Sequence, residues 1–168
     1  KKAGVYDEAK VVVVPAPVPE APKATFTVQD VLSKKGDAIK GGELVQRCTM
    51  CHQVGAIGAN YGPELRGFAA RQGVESVVTA IVEPSASIAL GYEGSTLKLK
   101  AGGQIDGLIQ SNNDPVVVKS AGGVSQLVPK NRIGGQSKLN RSLMLSSDQL
   151  GLTAQDVADI AAWLATYN

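Results

Sequence analysis

Cys48-Thr49-Met50-Cys51-His52 is the stretch on which the reading of this chain turns. Two cysteines three positions apart, followed at once by a histidine, have the spacing used for covalent attachment of c-type haem. Thiols about one helical turn apart can reach both vinyl groups of a porphyrin, and the next residue then projects its imidazole towards the iron. Two other chemistries use paired cysteines. A closed zinc site takes four protein ligands from Cys and His, and with two Cys and one His in the whole chain it would need carboxylates from elsewhere. A thioredoxin-like redox pair belongs near a βαβ pattern, which the flanking sequence does not show. The motif therefore predicts one covalent haem c, anchored by Cys48 and Cys51, with His52 on its iron.

The residue inventory narrows the other axial position. His52 is the single histidine, so a second histidine ligand from the same chain is excluded, and of the two methionines Met50 sits between the attachment cysteines on the proximal side. That leaves Met144, in Arg141-Ser142-Leu143-Met144-Leu145-Ser146, as the expected distal ligand. A methionine that merely fills the core is the bland alternative, and lysine or water stays open as ligand. A His/Met pair favours ferrous iron and fills both axial positions. Outer-sphere transfer of single electrons is then the expected role.

Outward from the motif, 168 residues suit one domain with room for a tail. Aromatic residues make up 4% of the chain, so large core-filling groups are scarce and a buried porphyrin would help to fill the interior. The formal charge of +2 comes without any Lys/Arg run of the kind that neutralises phosphates, so nucleic acid is not expected as a partner. No apolar stretch approaches the roughly 20 residues needed to span a bilayer. The chain opens at Lys1 rather than at a methionine, as expected of a processed chain or a piece of a longer one.

Residues 1–35 read as a linker or extended tail, because VVVVPAPVPEAPKA is rich in prolines that favour polyproline geometry. An edge strand at residues 11–14 is the alternative. Asp37 should cap a helix running through Ile39, Leu44 and Val45 to the motif. Gly41 and Gly42 inside it point to a closely approaching element. A second helix is predicted over residues 74–82, with Val74, Val77, Val78 and Ile81 on one face, stopped by Pro84. Residues 92–133 break into short runs (STLKLK, QIDGLIQ, PVVVKS, SQLVP) separated by turn residues, which predicts three or four antiparallel strands. Thr153 and Asp156 form a capping-box pattern, with Leu152 able to staple to Val157 and a stripe of Val157, Ile160, Ala161 and Leu164 marking the last helix.

Residues 36–168 resemble class I cytochromes c. The likeness lies in Gly36-Asp37-Ala38-Ile39-Lys40-Gly41 before the motif, in Tyr61-Gly62-Pro63-Glu64-Leu65-Arg66-Gly67-Phe68 with Arg71 after it, and in a late methionine ahead of a final helix. The order is closer still to the Planctomycetes/Verrucomicrobia-type haem-binding domain, through Ile81-Val82-Glu83-Pro84-Ser85 and Gly91-Tyr92-Glu93. That resemblance implies that the Pro63 carbonyl accepts the Nδ1 proton of His52 and orients the ring. It also implies that Arg71 stands near a haem propionate, a solvated surface arginine being the alternative. Gly41 or Gly42 would mark where the first helix crosses the last, against Trp163. Two departures stand out. Leu143 and Leu145 flank Met144 where the family often has proline close by, so the ligand loop is less rigid, and Leu44 or Val45 replaces the usual aromatic of the first helix.

The expected architecture is mainly α: a cytochrome c fold over residues 36–168 with a small antiparallel β insertion, residues 92–133, before the distal methionine loop. The expected role is that of a non-enzymatic monohaem electron carrier in the periplasm or another extracytoplasmic compartment of a bacterium. Its partners would be redox proteins, a dehydrogenase among them. A haem-based gas sensor in which Met144 leaves the iron, and the electron-accepting domain of a larger dehydrogenase, are the alternative roles.

Overall fold

The computed structural model describes residues 25–168. The Pro/Ala/Val stretch, and the strand alternative at residues 11–14 with it, lies outside the described residues. Thr27 opens α1 (Val28–Leu32) through a capping box with Asp30, and Val31 from this helix is 1% exposed. The stretch expected as tail, 1–35, thus ends in a helix packed into the core, because a buried valine and a reciprocal cap outweigh the cost of ordering a five-residue segment.

Asp37 caps α2 (Ala38–Leu44) by accepting from the Ile39 amide at 2.9 Å. The chain then tightens into a 3-10 turn over Val45–Met50, which delivers Cys48. α3 (Phe68–Gln72) and α4 (Val74–Val82) follow, and α5 (Ala154–Thr166) closes the chain behind the expected Thr153–Asp156 box. α5 buries Val157, Ile160, Ala161 and Leu164, which pack in one cluster with Val31, Val45, Leu152 and the inner face of α4. That face is Val77, Val78, Ile81 and Val82; Val74, expected on the stripe, is 41% exposed because it is the first residue after the Gly73 cap.

Between α4 and the Met144 segment lies a five-stranded antiparallel sheet of β1 (Ser95–Leu99), β2 (Gln104–Ser111), β3 (Val116–Lys119), β4 (Ser125–Val128) and β5 (Ile133–Lys138), in the order β4-β3-β2-β1-β5. The insertion is where it was expected but larger. β5 doubles back to pair with β1, setting Leu97 opposite Gln136. Leu97, Val116, Val118 and Val128 form a second buried cluster of their own, so the sheet is a packed layer. Among the described residues the architecture is mixed α/β, which corrects the expectation of a mainly α fold.

Candidate haem site

The α2 to α5 crossing sets the motif in place. Gly41 lies against the backbone of α5, and Gly42 against the Trp163 indole, whose Nε1 would stand 2.9 Å from an added β-carbon. From there the 3-10 turn runs straight into the attachment residues. The Cys48 carbonyl accepts from both the Cys51 amide (3.0 Å) and the His52 amide (2.8 Å), which closes the turn that sets both thiols on one side. Both cysteines are free thiols, half-buried. Burial, and secondarily the neighbouring Cys51, push the Cys48 thiol up to about 11.

The loop after the motif folds back beneath it. The Ala59 amide donates to the Thr49 carbonyl, and the Tyr61 and Gly62 amides both donate to the Cys51 carbonyl. This brings the Pro63 carbonyl to 2.7 Å from His52 Nδ1, the contact implied by the resemblance. A carbonyl can only accept, so Nδ1 carries the proton and the Nε2 lone pair stays available. Burial lowers the pKa of His52, partly opposed by the Pro63 bond, which favours this neutral ring. Gly62 is required here: a β-carbon on it would meet the imidazole itself, 2.7 Å from Nδ1.

Cys48, Cys51, His52 and Met144 line one cleft enclosing about 1260 Å³ with its open mouth. The walls are mostly apolar: Leu65 and Phe68, then Val77 and Ile81 of α4, Ile88 and Tyr92 beyond it, Leu108 of β2, and Ile160 and Leu164 of α5. In the segment that brings Met144 to the cleft, the Met144 amide donates to the Ser142 hydroxyl (3.0 Å), and the Ser142 amide to the Ser85 hydroxyl (3.0 Å). Met144 is half-buried and packs against the helical cluster.

Arg71 is not brought to this cleft. It is exposed in the last turn of α3, where its guanidinium donates to the Arg66 carbonyl at 3.0 Å, because that short helix turns its polar face outward. The arginine on the wall is Arg47, which also reaches the carbonyls of Leu150 and Gly151, each at 3.2 Å. Its place one residue before Cys48 was the available signal. Tyr61, 7% exposed, also lines the cleft. Burial first, then the nearby Cys51 and Asp106, push its phenol up to about 12, against the pull of Arg141.

The residues fit a haem. Two thiols, an imidazole with a free Nε2 and a thioether all line one apolar cleft. Zinc fits less well, since among the described residues no three His, Cys, Asp or Glu side chains gather into a set able to hold a metal ion. No helix among the described residues is long and apolar enough to cross a membrane.

The family model for cytochrome c matches residues 38–114, from the start of α2 to the end of the β2–β3 turn, and so stops short of Met144. No curated protein matches the chain. Cytochrome c domains transfer electrons to redox partners and in bacteria are typically extracytoplasmic. The match and the geometry of the motif together support a c-type cytochrome, whose cofactor is covalently attached haem c with its iron.

Proposed function

We propose that the chain is a monohaem carrier of single electrons working outside the cytoplasm, with its haem anchored through Cys48 and Cys51 and its iron ligated by His52 and Met144. The observation that supports this most is the convergence of those four side chains on one apolar cleft. When bound, haem c supplies an iron that exchanges one electron between its ferric and ferrous states. The protein's part is positional. The Pro63 carbonyl holds the Nδ1 proton and thereby fixes the ring and raises the basicity of Nε2. The apolar walls keep water out, so little solvent has to reorient when the charge changes. Arg47, on the wall of the cleft, is better placed than Arg71 to balance propionate charge. The finer likeness to the Planctomycetes/Verrucomicrobia-type domain rests on the order of the motifs alone. Redox proteins, including an electron-donating dehydrogenase, are the proposed partners.

A ferrous pyridine spectrum with an intact mass tests the reading. One haem per chain, retained in acidified organic solvent, is the expected result, and a colourless protein would overturn it. Ligation by Met144 predicts a weak red charge-transfer band in the ferric protein and slow carbon monoxide binding in the ferrous one. A gas-binding role draws support from Leu145, 43% exposed beside Met144 with no proline to stiffen the segment. Fast carbon monoxide binding by the unaltered protein would favour that role.

A further inference from the structure

We propose that Asp106 and Arg141 are positioning residues for Met144, the β-sheet acting as a strut that holds the methionine segment against the cleft. This rests on the proposed ligation by Met144. Arg141 and Asp106 form the one ion pair among the described residues, at 2.8 Å between Nη2 and Oδ2. Asp106 is itself held: its other oxygen accepts from the Thr96 hydroxyl at 2.6 Å, and Thr96 is 6% exposed on the neighbouring strand. Arg141 passes the restraint on, since Nη1 donates to the Ser142 carbonyl at 3.2 Å, and the Ser142 hydroxyl in turn accepts from the Met144 amide. The path from a buried strand to the methionine backbone is continuous.

The same sheet also reaches the loop that follows the motif. Lys119 of β3 donates to the Asn60 carbonyl at 2.8 Å, next to Tyr61, whose amide is bonded to the Cys51 carbonyl. One rigid layer therefore touches both the loop beneath His52 and the segment carrying Met144. A lone surface ion pair is worth little, but Asp106 is 18% exposed and multiply bonded, and networks of this kind resist pairwise dissection. The segment has a second tether, the Leu139 amide on the Gly94 carbonyl at 2.9 Å, so losing the ion pair should loosen Met144 without unfolding the sheet.

The test is stopped-flow binding of carbon monoxide to the ferrous holoprotein, in which departure of Met144 limits the rate. Asp106→Asn, Arg141→Gln, the double variant and Met144→Ala are compared, with haem content and thermal midpoint measured for each. Asp106→Asn and Arg141→Gln should each speed binding by roughly threefold to tenfold, a charge-assisted bond discounted for the exposure of the arginine. The double variant should be no faster than either single one, as a shared interaction requires, and Met144→Ala should be fastest. Unchanged rates in both single variants, or single effects that multiply in the double, would overturn the strut while ligation stands. Unaltered protein as fast as Met144→Ala would overturn the ligation and the strut together.

Discussion

Gly41 of α2 faces the backbone of Asp159 in α5 with no room for a side chain between them: a β-carbon there would collide with the Asp159 carbonyl and stand 2.9 Å from Cβ of Trp163. Alanine would gain about 0.5–1 kcal/mol of helix propensity over glycine, but forcing the helices apart costs about 1–3 kcal/mol. The obstacle is main chain, so the clash should win. Gly41→Ala is expected to lower the unfolding free energy in denaturant titrations of the holoprotein. Gly42→Ala should do so less, because the Trp163 ring it meets can shift.

The same crossing depends on one buried carboxylate. Asp159 is 2% exposed and accepts from the Asp37 amide at 2.8 Å and from Gln155 Nε2 at 2.7 Å. Asp159→Ala would leave the Asp37 amide without its partner, at a cost of about 1–3 kcal/mol. Asp159→Asn, which keeps an acceptor oxygen, should cost less in the same titration.

Gly62→Ala probes the haem side. Its added methyl would push the His52 ring off the Pro63 carbonyl, since a β-carbon would lie 2.9 Å from Nε2. The reduction potential and the visible spectrum of the variant should both shift. Gly135→Ala, where nothing lies within 4 Å of an added β-carbon, should leave both unchanged.

The capping boxes make stability depend on acid. Backbone and side-chain hydrogen bonds from Thr153 hold the Asp156 carboxyl below its ordinary value of 3.8, and Thr27 does the same for Asp30. A carboxylate with a depressed folded pKa binds fewer protons folded than unfolded, so its contribution is present above the unfolded pKa and is lost as pH falls through the folded one. The thermal midpoint should therefore decline below about pH 4. Thr153→Ala should lower the midpoint at neutral pH, by about 0.5–2 kcal/mol of stability, and flatten that decline.

These features differ in how plainly the sequence announces them. The final helix could be read almost residue by residue, because its cap and its apolar stripe are local patterns, and the stripe Val157, Ile160, Ala161 and Leu164 is buried as expected. Gly41 and Gly42 signalled a close approach, and the crossing lies there. β5 is not legible in the sequence because Ile133–Lys138 offers one large apolar residue and two glycines, and its place comes from pairing with β1 rather than from alternation. α1 falls in the stretch expected as tail, although Thr27 and Asp30 carry the same capping pattern as Thr153 and Asp156. In the site, spacing alone singled out Cys48, Cys51 and His52, and the inventory singled out Met144; all four line the cleft. Arg71 was placed by the order of motifs, which carries no information about which way a short helix turns its last residue. Arg141 and Asp106, 35 positions apart, form a contact that exists only once the strands are registered.

The two buried clusters share no residue, and none of Leu97, Val116, Val118 or Val128 touches the cleft. The packing of the sheet cluster therefore involves no residue that a bound haem would touch. The interior of the sheet is filled by the sheet's own side chains, whether or not a porphyrin occupies the cleft.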